Sequence, residues 1–184
     1  MEPISAVYTE GNVVVPTTNE ANSLYQDGYG SMLAKGGALT LQTFETLYLI
    51  EIGKLVIVDE MSHGRLVFQE LLKIFSQEDS HTWIRYIVYR DIRTRGFVAR
   101  EGLGTGIDFL VYERGSYGKK TPSYLVYTVW EGNQEPINRL NEVLTIADNR
   151  EKILRLAVVD RRGEVVYYTL SEASFQKSAI KKHV

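Results

Sequence analysis

The 184-residue chain has three histidines, His63, His81 and His183, far apart and without the spacing of metal ligands. It has no cysteine, which excludes a thiolate metal site and a disulfide framework. Asp108, in "IDFLVYERG", is the aspartate that a carboxylate-based metal nuclease would want, but the partner acidic-x-Lys strand is missing, since "YERG" follows. No metal is expected. Gly102, Gly104 and Gly106 form a Gly-x-Gly-x-Gly run. A phosphate cradle places its glycines ahead of a helix N-terminus, whereas "IDFLVY" alternates as a strand, so the run reads as a hairpin connection. The densest chemistry is basic and aromatic. Arg90, Arg93, Arg95, Arg100, Arg114, Lys119 and Lys120 are interleaved with Tyr89, Phe97, Tyr112 and Tyr117. Charge for phosphates and flat faces for unpaired bases is what an RNA-binding surface needs. Aromatics at alternate strand positions serve a core equally well, and arginines on an exposed helix serve solvation.

The charge is unevenly placed: residues before Trp83 carry a net −7 and the remainder +5. A polyanion would meet the second half. No apolar run approaches the roughly 18 residues of a membrane-spanning helix, and the opening "MEPISAVYTEGNVVVP" lacks a secretory pattern, so a reducing cytoplasm is the expected compartment.

The elements that must position these groups follow from periodicity. "AVYTEGNVVV" predicts a hairpin turning at Glu10-Gly11-Asn12. Thr40 is placed to cap a helix through Leu41, Phe44, Leu47, Tyr48 and Ile50 up to Gly53, and "KLVIV" is a short strand. Ser62 precedes a helix with Phe68, Leu71, Leu72 and Phe75 on one face, closing in "SQEDS", which marks a domain boundary. The second part predicts a helix from about Thr82 to Gly96, with Ile84, Ile87, Val88 and Ile92 inward and its arginines elsewhere. Strands follow at "GFVAR", "IDFLVYE", "SYLVYTVW", "LRLAVVD" and "EVVYYTL", interrupted by a helix in "PINRLNEVLTIADN" with Ile137, Leu140, Leu144 and Ala147 on one face. The expected class is α/β (α+β). Residues 1–81 form a small mixed α/β domain, and residues 82–184 form a second domain, a mixed sheet packed by helices.

Several stretches together resemble the archaeal tRNA-intron (splicing) endonuclease family: "LYQDGYG" and "LTLQTFETLYLIEIGKL" in the first part, then "YIVYRDIRTRGFVAREG", "DFLVYERG", "YLVYTVWEG" and "LRLAVVDRRGEVVYYTL". The order is right over most of the chain. The resemblance implies an N-terminal α/β domain and a nuclease-like C-terminal domain, assembled as a tetramer that removes introns from precursor tRNA at bulge-helix-bulge sites. It also implies metal-free and cofactor-free chemistry, in which a ribose 2′-hydroxyl attacks its own phosphate and leaves a 2′,3′-cyclic phosphate and a 5′-hydroxyl. A tyrosine serves as base, a histidine as acid, and a lysine steadies the added charge.

Tyr112 matches the tyrosine and Lys152 the lysine, while Thr121, or less well Ser123, stands where the histidine is expected. A hydroxyl does not titrate near neutral pH, and loss of a general acid typically costs about 10²–10⁴ in rate. An arginine frequent one turn before the lysine is replaced by Thr145. The expectation is therefore a structural subunit supporting a catalytic partner chain in a hetero-oligomer. The alternatives are an active metal-free nuclease chain and an RNA-binding scaffold. Arg93, Arg95, Arg100, Arg114, Lys119 and Lys120 are the expected RNA contacts. Glu131 and Glu135 of "VWEGNQEP" and Val165 and Tyr167 of "EVVYYTL" are the expected subunit interface, by analogy with the family's acidic loop and its tail-to-tail strand.

Overall fold

In the computed structural model, residues 2–33, 37–102, 104 and 106–173 are described. β1 (Ile4–Thr9) and β2 (Asn12–Val15) form the expected antiparallel hairpin. Glu10 and Gly11 have φ of 47° and 81°, the paired left-handed geometry that matches the twist of a two-residue turn. α1 (Thr18–Gln26) was not expected: only Ala21 and Leu24 are buried along it, too few to set a helical period. β3 (Ser31–Met32), β4 (Leu39–Leu41), α2 (Thr43–Glu51), β5 (Leu55–Asp59), β6 (Arg65–Leu66) and α3 (Phe68–Glu78) complete the first half. Its sheet runs β3-β4-β2-β1-β5-β6, with β1 and β5 parallel.

Thr40 does not cap a helix. It lies in β4, paired with Val14 of β2, and α2 starts after Gln42, whose N–H donates to Glu45 Oε2 at 2.9 Å. A ladder partner and the reach-back of Glu45 outweigh threonine's capping preference. Likewise Ser62 sits in a turn around Asp59, and Val67 precedes α3, its N–H donating to Glu70 Oε2 at 3.0 Å.

α4 (Thr82–Thr94) leads into a second sheet of β7 (Val98–Glu101), β8 (Phe109–Tyr112), β9 (Tyr124–Trp130), β10 (Ile153–Val159) and β11 (Val165–Leu170), ordered β11-β10-β9-β8-β7. β9 and β10 are parallel, joined across one face by α5 (Ile137–Asn149), and the other pairs are antiparallel. The fold is thus mixed α/β with two mixed sheets, as expected. Val143 and Ala147 of α5 are buried over Leu125 and Leu154, while Ile137, expected on that face, is 75% exposed in the first turn. Among the described residues no helix is long and apolar enough to cross a membrane.

α4 packs against both halves. Its Tyr89 ring lies 4.9 Å from Phe44 and 5.7 Å from Tyr48 of α2, and 5.9 Å from Phe109 of β8. One apolar core therefore continues from the first sheet into the second. Polar groups fasten the same junction. Arg100 of β7 donates to the carbonyls of Gly28 and Gly30, and Arg93 of α4 donates to Asp27 O at 3.1 Å and lies 4.1 Å over the Tyr29 ring. Glu45, 1% exposed, accepts the N–H groups of Gly30 and Gln42 on Oε2, and its Oε1 faces Arg100 at 3.7 Å. Gly28 is required here: φ is 85°, and a Cβ would meet Val98 Cγ1 at 2.4 Å.

Burial raises the Glu45 carboxyl above its ordinary range, with Gln42, Arg100 and Gly30 opposing. The folded state thus holds this proton to higher pH than the unfolded chain does. Its contribution is fully present below the unfolded pKa and is lost as pH rises through the folded one. In urea denaturation, Glu45→Gln should gain stability relative to wild type as pH rises through that window. Arg100→Met, which leaves Glu45 without its cation, should cost about 3 kcal/mol at neutral pH.

Candidate functional site

The three positions singled out for RNA cleavage lie on separate segments. Tyr112 ends β8, and its ring meets Tyr117 edge-on at 5.2 Å. Thr121 lies in the loop ahead of β9, and Lys152 immediately precedes β10. The lysine is aimed by the way α5 stops. Lys152 N donates back to Ala147 O at 3.0 Å, and Glu151 takes a left-handed φ of 53°. From there Lys152 Nζ donates to Thr121 Oγ1 at 2.9 Å. Ser123 instead joins the ladder, its N–H donating to Val111 O at 2.9 Å.

The pair is an ammonium beside a hydroxyl. It can attract and hold an anion, and it contains no imidazole. Among the described residues, no hydrogen bond or ion pair joins His63 or His81 to Tyr112, Thr121 or Lys152. His63 sits between β5 and β6 with φ 54°, and His81 Nδ1 lies 3.4 Å from Asp79 Oδ1 ahead of α4. His183 lies outside the described residues. Thr145, at the position of the expected arginine, turns its hydroxyl inward to Asn141 O at 2.8 Å.

Asp108 has a different occupation. Its Oδ2 accepts the Thr128 N–H at 2.7 Å and hydroxyl at 2.8 Å, its Oδ1 lies 3.6 Å from Arg85 Nε, and burial raises its pKa. It ties β9 to the loop after β7. The glycine run is the β7–β8 hairpin connection: a Cβ on Gly102 would fall 1.9 Å from Ile107 O, and one on Gly106 2.4 Å from Arg139 Nη2. Close backbone approach at Gly102 and a left-handed φ of 80° at Gly106, rather than a phosphate, account for these two glycines.

The basic residues divide by environment. Arg93 and Arg100 are committed to the junction between the two halves. Arg114 donates Nε to Arg95 O at 2.9 Å, while Arg95 forms a two-pronged pair with Asp91 at 2.7 and 3.1 Å. Lys119 and Lys120 are exposed, and among the described residues neither side chain has an ion-pair partner. Arg85, read as lying off the core face, has only 21% of its side chain exposed, with its guanidinium 4.9 Å over Phe44.

Of the four positions read as interface, Glu131 is exposed, whereas Glu135 accepts the Tyr127 hydroxyl, and burial and that bond push the Tyr127 pKa up to about 12. On β11, Tyr167 turns inward and donates to Asp91 Oδ2 at 2.9 Å, and Val165 packs on the core. The outward residues are Val166 and Tyr168, 49% and 55% exposed. Strict alternation marks two sets of residues on this strand, but only the position of α4 decides which set faces out.

Residues 4–72 match the family model described as tRNA intron endonuclease, N-terminal domain, and residues 82–167 match tRNA intron endonuclease, catalytic C-terminal domain. The chain is 30% identical over 177 residues to the tRNA-splicing endonuclease of Pyrococcus abyssi, covering 95% of this chain and 100% of that protein. It is 32% identical to the tRNA-splicing endonuclease of Pyrococcus horikoshii over 170 residues, 91% of this chain and 96% of that one. The tRNA-splicing endonuclease of Methanococcus vannielii is 32% identical over 167 residues, 91% and 93% of the two chains.

Because the Lys152–Thr121 bond is exposed, Thr121→Val should lower stability by less than about 1 kcal/mol in urea denaturation. A larger loss would mean that the pair is a structural fastening rather than an open site.

Proposed function

The chain belongs to the tRNA intron endonuclease family, whose members remove tRNA introns, and from that premise we propose that it is the structural subunit of a heteromeric enzyme. In this reading it grips precursor tRNA and positions a catalytic partner chain, within a tetramer. The observation that carries the reading is the hydroxyl of Thr121 on Lys152 Nζ, at the position where the family resemblance places an imidazole. Cleavage by 2′-hydroxyl attack needs a proton delivered to the departing 5′ oxygen, and neither an ammonium nor an aliphatic hydroxyl supplies one well near neutral pH. What the pair retains is positive charge beside a donor, which suits holding a phosphate of the RNA.

Retention of Tyr112 and Lys152 favours the second reading, an active chain giving 2′,3′-cyclic phosphate and 5′-hydroxyl ends with a different acid. For assembly, the outward Val166 and Tyr168 on the edge strand β11 offer a partner both backbone pairing and apolar cover, and the exposed Glu131 offers charge. Lys119 and Lys120 are the exposed cations best suited to phosphates, with Arg95 and Arg114 behind them.

A bulge-helix-bulge RNA incubated in chelator separates the readings. The chain alone should leave the RNA intact, and addition of a family member with an intact tyrosine, histidine and lysine should produce cutting. Thr121→His should raise cleavage by the chain itself about 10²–10⁴-fold over its background. Cutting by the unmodified chain alone in chelator would overturn the structural role in favour of the second reading.

A further inference from the structure

A groove of about 360 Å³ runs between α5 and the end of β11. Its apolar lining comes from Ile137, Leu140 and Leu144 of α5 and Leu170 of β11. Leu144 and Leu170 already pack on the small core of Val143, Ala147 and Leu154, so the groove continues that core outward to solvent. Ile137, in the first turn of the helix, is 75% exposed. Contiguous apolar surface of this kind marks a place where another segment docks.

The charge of the groove narrows the occupant. Both charged residues in its lining, Asp148 and Glu172, are acidic, and Arg139 of the same helix turns to Glu142 and the Tyr127 ring. Phosphates of an RNA are repelled there. A segment that carries bulky apolar groups and lysines is complementary instead. The chain supplies one. Residues 174–184, "SFQKSAIKKHV", lie outside the described residues and contain Phe175, Ile180, Lys177, Lys181 and Lys182, with no acidic residue.

The place where this segment begins favours it over a separate partner. Ser171 and Glu172 line the groove, so the residues after Ala173 leave from its rim. Residues 174–184 reach about 36 Å at most, against about 20 Å for the 13 residues of α5, so length does not limit them. Phe175 and Ile180 lie about 8 Å apart along a helix or about 17 Å along an extended chain, which brackets the roughly 10 Å from Ile137 to Leu144 along α5. A tether this short sets an effective concentration of about millimolar, so weak contacts suffice to fill the groove.

We infer that residues 174–184 fold back in cis along this groove, covering Ile137, Leu140 and Leu144 with Phe175 and Ile180 and setting the lysines against Asp148 and Glu172. The inference does not depend on whether the chain cuts RNA or supports a partner. It closes the exposed face of α5 to other proteins.

The test attaches a nitroxide at Ser178→Cys, which reports from a single position because the chain has no cysteine of its own. In nuclear magnetic resonance spectra of the full chain, the amide signals of α5 should be broadened away while those of β1 persist. Ile137→Glu, at an exposed position, and Asp148→Lys should each restore most of the α5 signal, with an unchanged unfolding temperature as their control. In a mixture of isotope-labelled chain without nitroxide and unlabelled chain carrying it, the α5 signals should persist. Their loss in that mixture would show segments exchanged between copies and overturn docking in cis. Persistence of the α5 signals in the nitroxide-bearing chain itself, or a loss that neither variant relieves, would overturn the inference outright. Recovery of those signals on adding a triad-bearing family member would assign the groove to that chain and overturn it as well.

Discussion

The Arg100 guanidinium meets two backbone carbonyls, those of Gly28 and Gly30, and one carboxylate, that of Glu45, all belonging to the other half of the chain. Left without a donor, each would carry the penalty of a polar group taken from water, and the carboxylate most of all. With Arg100 in place, the loop between α1 and β3 is pinned against β7, and Gly28 lets the backbone approach Val98 closely enough for that pinning. Arg93 of α4 repeats the arrangement on Asp27 and Tyr29. The apolar contacts of Tyr89 with Phe44 and Phe109 fill the space between, so that the second sheet is presented in a fixed orientation to the first.

That orientation determines what the far end of the second sheet can do. Thr121 before β9 and Lys152 before β10 meet because those two strands are parallel neighbours whose starting ends lie side by side. The stop of α5, with its left-handed Glu151, delivers the ammonium there. The same strand ends bring Arg155 over Tyr124 on the opposite face. Charge, a flat surface and a hydroxyl are thus concentrated where an imidazole is missing. In the proposed reading, such a surface holds a polyanion rather than breaking it.

Much of this was legible in the sequence where local pattern and tertiary role agree. The Glu10-Gly11 turn, the alternating strands of the second sheet and the amphipathic α3 and α4 carry their periods openly. That positions 121 and 152 belong to one site was an expectation from family resemblance, not from spacing, since 31 residues separate them. What was not legible depends on long-range partners. Thr40 has good capping chemistry, yet β2 claims its backbone. Arg93 and Arg100 read as surface cations until the Gly28 loop is placed against them. α1 shows no clear stripe because it covers the sheet with little more than Ala21 and Leu24. On β11 the alternation was visible, but the choice between Tyr167 and Tyr168 as the outward residue required knowing where α4 lies and that Asp91 waits beneath.

The position of α4 also bears on how the polypeptide comes apart. This helix contributes Tyr86 and Tyr89 to packing against α2 and α3 while Ile92 packs toward the second sheet, so neither sheet owns a complete interior. Severing the chain between α3 and α4 would strand Phe44 and Tyr48 without their cover, and the leading fragment would expose an aromatic surface to solvent. Denaturation should accordingly be all-or-none across both halves, with amide protons of β1 and β9 exchanging through the same global opening.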